Sequence, residues 1–189
     1  MTTGTMFLLA LMLLIVALIL YCVAVYNSLV SLRNAIRNAW SQIDVQLKRR
    51  HDLIPNLVET TKGYAAHEKG TFDAVTQARA KAAGARSLPE ISKAESELTG
   101  VLSRFMAVME NYPELKANQN FLALQEELSS TENRIAFARQ AYNDQVLFLN
   151  NKVQMFPSNV IAGMFAFRTE GYFELEDKAE RDPVKVSFG

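Results

Sequence analysis

From Met6 to Val25 the chain reads MFLLALMLLIVALILYCVAV, apolar throughout apart from the slight polarity of Tyr21 and Cys22. At about 1.5 Å per helical residue, this run is long enough to cross a hydrocarbon core of roughly 30 Å. A buried core helix is one alternative use of such a run, and a cleaved signal peptide is another. Signal peptides carry a basic n-region, a shorter apolar stretch and a small-residue cleavage site. Here Met-Thr-Thr-Gly-Thr holds no Lys or Arg, no A-x-A-like site follows, and Tyr21 before Cys22 argues against a lipid-modified cysteine. A retained transmembrane anchor is the expectation.

Charge sets the orientation. The 189 residues carry 20 basic and 20 acidic side chains, yet none precedes Arg33. Arg33, Arg37, Lys48, Arg49 and Arg50 all follow the run. The positive-inside rule then places residues 1–5 outside, a transmembrane helix over 6–26, and the remainder in the cytoplasm. Tyr21 and Tyr26 stand where an interfacial aromatic belt is expected. A single cysteine excludes an intramolecular disulfide framework. A net charge of zero gives no support to nucleic-acid binding, which needs a basic face.

Residues 27–156 read as helix, with few glycines and prolines and apolar residues every three or four positions. Leu29, Leu32, Ile36, Ala39, Trp40, Ile43, Leu47, Ile54 and Leu57 trace one stripe that continues the membrane helix to about His67. An alanine-rich helix follows with Phe72, Val75, Ala78 and Ala82. Ser87-Leu88-Pro89-Glu90 has the capping-box pattern and opens a third helix through Ile91, Ala94, Leu98, Val101, Phe105, Val108 and Tyr112, which Pro113 is expected to end. In the fourth helix Phe121, Leu128, Ile135, Tyr142, Leu149 and Phe156 recur every seven residues, with Leu124, Thr131 and Ala138 between them. Gln145 and Lys152 interrupt that seam while Val146 and Val153 resume it one position later, the drift of a straight helix in a bundle rather than of a coiled coil. The fold class is therefore all-α: an N-terminal transmembrane helix continuing into a long-helix antiparallel bundle.

If the second and third helices each reverse, the fourth returns toward the membrane. The reversal rests on the segment AAGARS. It brings the apolar segment 157–167, with Val160, Ile161, Met164, Phe165 and Phe167, toward the lipid surface and Phe165 toward Tyr26. That segment can pack under the bundle, lie on the membrane interface or join subunits. From Arg168 the chain is charged and helix-poor, and residues 168–189 are expected to form an exposed tail.

Candidate chemistry concentrates in KRRHDLIP, residues 48–55. Successive helical side chains point about 100° apart, so Arg49, Arg50, His51 and Asp52 fan around the helix and do not all reach one ligand. Pro55 donates no hydrogen bond to the carbonyl of His51 and crowds it. Two readings stand: a kink within residues 51–55 with Arg49 and Asp52 held by neighbouring side chains, or a partner-binding site. Elsewhere, Cys22 lies inside the apolar run and no serine sits in a G-x-S-x-G elbow. There is no H-E-x-x-H, no thiolate cluster and no glycine-rich phosphate loop. No catalytic residue, metal or cofactor is expected.

Three long segments resemble the LemA family of bacterial membrane-anchored helical proteins. They are YNSLVSLRNAIRNAWSQIDVQLKRRHDLIPNLVETTKGYAAHE, ENYPELKANQNFLALQEELSSTENRIAFARQAYND and FPSNVIAGMF. The resemblance implies a transmembrane helix with a cytoplasmic antiparallel helical bundle and no enzyme activity. Family members are often encoded beside HtpX-type membrane zinc proteases, which implies a link to membrane-protein quality control. The expected partners are membrane lipid, further copies of the chain in a self-assembling scaffold, or a membrane protease for which the bundle acts as adaptor, presenting Arg49, Arg50 and the NYPELK turn.

Overall fold

The computed structural model describes residues 3–65 and 67–174. Within them the helices are α1 (Thr3–Lys62), α2 (Lys69–Gly84), α3 (Leu88–Met109), α4 (Pro113–Lys116), α5 (Gln119–Gln154) and α6 (Ser158–Met164), and no strand occurs among the described residues. The all-α expectation holds, anchor helix included. The chain divides into two compact units, one built from the described residues up to Ser41 with Gln140–Tyr172, the other from the described residues of Gln42–Arg139 with Phe173 and Glu174.

In the first unit the side chains from Met6 to Tyr21 are all exposed. Only 6% of the most apolar window of α1 is buried, and the helix is long and apolar enough to cross a membrane. A monomeric helix exposing so much apolar surface has its place in lipid, not water. Beyond it, Val25, Leu29 and Ile36 of α1 are buried, as are Val146 and Leu149 of α5 and Ile161 and Ala162 of α6. Trp40 packs edge-on to Tyr142 at 5.7 Å, and Lys152 donates a hydrogen bond to Ser28 Oγ. As numbering rises along α1 it falls along α5, so these two stretches are antiparallel. The start of the charged segment is tethered here: Tyr142 donates to the carbonyl of Gly171 at 3.0 Å, and Asn150 exchanges two hydrogen bonds with the backbone of Glu170. The expected seam ends early, since Phe156 is 81% exposed.

The second unit is an up-down-up-down four-helix bundle of α1, α2, α3 and α5. Its core joins Ile54 and Leu57 of α1, Val75 of α2, Leu98 and Phe105 of α3, and Phe121 and Leu128 of α5. The AAGARS reversal is real. Lys81 pairs with Glu97 while Phe72 meets Phe105 at 6.0 Å, so α2 and α3 run oppositely. The turn that achieves this uses the expected capping box of Ser87 and Glu90, with the backbone N–H groups of Arg86 and Ser87 donating to Glu90 at 3.2 and 3.3 Å. Those bonds hold the exposed Glu90 carboxyl below its ordinary pKa, first through the Arg86 amide.

Two details differ from the sequence reading. The buried face of α3 is Ser92, Ala94, Glu95, Leu98, Leu102, Phe105 and Met109, with Ile91, Val101 and Val108 half-buried at its margin. The stripe is rotated because a helix between two neighbours is buried over a wider arc than its apolar residues mark. Pro113 also does not end α3, which stops at Met109. It instead opens α4 from the first helical position, where its missing N–H costs nothing.

Candidate functional site

The interior of the four-helix unit holds a polar cluster. On α1 the buried positions Ile43, Leu47, Arg50, Ile54 and Leu57 follow the helical period, so a guanidinium occupies a core site and is only 1% exposed. On α3 the buried Glu95 likewise stands among Ala94, Leu98 and Leu102. The two meet. Arg50 Nη2 donates to Glu95 Oε2, while Arg50 Nη1 donates to Glu132 Oε2 of α5 at 2.5 Å and to Thr99 Oγ1 at 3.0 Å. His51 Nε2 lies 2.8 Å from Glu95 Oε1, an arrangement that places the ring proton on that nitrogen. One guanidinium thus ties three helices together.

Electrostatics fix the protonation of Glu95. Burial pushes its carboxyl up, but the hydrogen bond from His51 and the charge of Arg50 outweigh burial and hold it below the ordinary glutamate value. A carboxylate kept ionised and already bonded through both oxygens has no proton to give and no free lone pair facing solvent. It serves as a buried counter-ion, not as a general acid.

Pro55 shows how the cluster's edge is completed. The helix is not broken at Pro55, since α1 runs on to Lys62 with the proline inside it. The carbonyl of His51, which loses its helical donor to Pro55, accepts instead from Arg79 Nε of α2 at 2.6 Å. Core contacts from Ile54, Leu57 and Val58 on both sides of the proline hold the turn in register.

The five sequence-chosen residues therefore separate. Arg50 and His51 converge on Glu95, which the argument from 100° spacing did not anticipate. The reason is that a long guanidinium and an imidazole on adjacent residues reach the same carboxylate from either side. Arg49 pairs with Glu127 of α5 and stays 45% exposed. Asp52 is exposed and, among the described residues, has no hydrogen-bond or ion-pair partner, so it is not held as expected. With Arg50 buried, it has no surface to present to a partner. Arg79, Glu95, Thr99 and Glu132 were missed. The legible signal was the gap in each apolar stripe: position 50 lies three after Leu47 and four before Ile54, and position 95 four after Ile91 and three before Leu98.

Beside the cluster, Thr99 and Glu132 line an open groove between α3 and α5 with Leu102, Met106, Gln125 and Leu128. Its volume is about 330 Å³. Ser103 and Ser129 also line it. No group of three or more His, Cys, Asp or Glu side chains with metal-binding geometry occurs among the described residues.

A second candidate region lies in the first unit. Of the five residues chosen there, Ile161 is buried, whereas Val160, Met164 and Phe165 are more than half exposed and Phe167 is half-buried. Phe165 packs on Tyr26 with ring centroids 4.7 Å apart, and Phe167 meets the same ring edge-on at 5.9 Å under the Arg33 guanidinium. A Schellman closure aims them. Phe167 N–H donates to the Ala162 carbonyl and Ala166 N–H to that of Gly163, with Ala166 at φ 55°. That left-handed conformation costs an alanine about 1–2 kcal/mol, which the aromatic contacts offset.

Relatives place this architecture. The sequence pattern of the LemA family matches residues 39–188. Magnetosome protein MamQ 2 of Paramagnetospirillum magneticum is 26% identical over 196 residues, an alignment covering 90% of this chain and 72% of the relative. Protein LemA of Metamycoplasma hominis is 28% identical over 163 residues, covering 85% and 74%. Magnetosome protein MamQ of Magnetospirillum gryphiswaldense is 24% identical over 185 residues, covering 84% and 68%. The family match spans both the buried Arg50–Glu95 cluster and the α6 segment, and on that match the chain belongs to the LemA family.

Proposed function

We propose that the protein is a non-enzymatic scaffold of the bacterial inner membrane that assembles with further copies of itself. Its anchor is the apolar stretch of α1 over residues 6–26, with the N-terminus outside and the helical body in the cytoplasm, the orientation that the basic residues from Arg33 onward favour. The observation that carries this reading is a division of labour among side chains. The reactive-looking groups Arg50, His51 and Glu95 are consumed in an internal lock, while large apolar side chains stay outside. Within the four-helix unit, Val45 of α1 is 58% and Phe137 of α5 72% exposed, well beyond the apolar span. An exposed phenylalanine on an otherwise polar helix face fits an interface with another chain.

Mass photometry of the full chain in lipid nanodiscs and in mild detergent tests the assembly. Large homogeneous particles, lost or reduced in Phe137→Asp, are expected. A monomer at every concentration overturns the scaffold reading, and one that gains mass only with a second protein turns it toward an adaptor.

A further inference from the structure

We propose that α6 and its flanks form an interfacial foot: Phe156, Val160, Met164 and Phe165 enter the headgroup–acyl boundary of the membrane that the N-terminal span crosses. The inference rests on the membrane-anchor reading and adds a second, monotopic contact to it. An ordinary surface helix buries one face and wets the other. In α6 the inner face is Ile161 and Ala162, buried at 4% and 0%, yet the outer face shows Val160 and Met164, exposed at 55% and 75%. Phe156 adjoins it at 81% exposure. No charged residue occurs between Met155 and Phe167. The hydroxyl of Ser158 is already spent on the carbonyls of Lys152 and Met155, at 2.7 and 2.9 Å.

Position selects lipid over a second copy. Tyr26, whose ring Phe165 covers at 4.7 Å, directly follows the last residue of the apolar run. The contact therefore fixes the C-terminal end of the foot at the level where the span leaves the hydrocarbon, the depth at which aromatic belts sit. Lys152 and Arg168 flank the uncharged segment on either side. That is the pattern of an apolar insertion rimmed by cations for anionic headgroups, with a burial depth of about 5–10 Å.

Spin-label depth measurement on the full chain decides it. In a Cys22→Ala background, the label is placed at Met164→Cys, at Leu13→Cys in the span, and at the exposed Glu59→Cys. The protein is reconstituted in vesicles of phosphatidylethanolamine and phosphatidylglycerol. The expected result is that the label at 164 collides with oxygen and loses collision with a water-soluble nickel chelate, at a shallower depth than the label at 13. Chelate access at 164 equal to that at 59 overturns the foot while leaving the anchor intact, provided the label at 13 stays buried in hydrocarbon. Protection from both reagents with dipolar broadening between labels at 164 shows a second copy instead and also overturns it. A water-exposed label at 13 overturns the anchor and the foot together.

Discussion

Arg50 is a charge in a position that the helical period reserves for an aliphatic side chain. Taking it out of water is compensated by Glu95, Glu132 and Thr99, so its removal leaves the buried Glu95 with His51 as its remaining charged partner. Arg50→Ala is expected to destabilise the protein by about 3–5 kcal/mol in urea unfolding of the detergent-solubilised chain. Arg49→Ala, next to it but solvent-screened in its pair with Glu127, should cost less than about 1 kcal/mol. Equal effects of the two would mean that burial is not what makes the cluster matter. Glu95 adds a pH signature. Its folded pKa lies below the ordinary value of 4.5, so its stabilisation is complete above that value and drains away as pH falls through the folded pKa. Glu95→Gln should therefore be less stable than the natural chain at neutral pH, with the gap narrowing as unfolding is measured below about pH 4.

Among the helices, α1 is the one whose local chemistry and final form disagree. A proline inside a helix costs about 3 kcal/mol when nothing takes the freed carbonyl. Here α2 supplies Arg79, so the continuity of α1 depends on a side chain from the next element. The two residues should be energetically coupled. Arg79→Ala is expected to cost about 1–3 kcal/mol in the natural chain and distinctly less in a Pro55→Ala background, where the residue at 55 can donate to His51 itself. A thermal-unfolding double-mutant cycle checks this, and strict additivity would show that Arg79 acts elsewhere. The proline that prompts the expected kink at residues 51–55 thus stands inside an unbroken helix. In α5 no such conflict exists, and Phe121, Leu128, Thr131, Ile135, Tyr142 and Leu149 are buried as their spacing indicates.

For the whole molecule, the exposed apolar half of α1 dominates the physics, because it demands a solvent different from that of the helical body. A single charge in the middle of that span should be felt by the entire protein. Ile15→Arg is expected to weaken insertion by about 2.5–3.5 kcal/mol, read as release of part of the protein from membranes under alkaline carbonate extraction while the natural chain stays in the pellet. Full retention of the variant would mean that contacts other than the span hold the protein to the membrane. The interfacial foot at α6 would be the first place to look for them.

The helices, the apolar span and the reversals were legible in the residue order, because each depends on neighbours within a turn or two: periodicity, the Ser87–Glu90 cap, the scarcity of Gly and Pro. The residues also indicated the family, through long segments in the right order, and the meeting of Phe165 with Tyr26, through helix lengths and alternating direction. The role of Arg50 emerges only once the helices are packed. Its partners lie 45 and 82 residues away on α3 and α5, and Arg79 reaches His51 across 28. Helical period can say that positions 50 and 95 face inward. Whether a buried charge finds its opposite depends on the axial register of helices joined by turns, and that register is set by packing of the whole core at once.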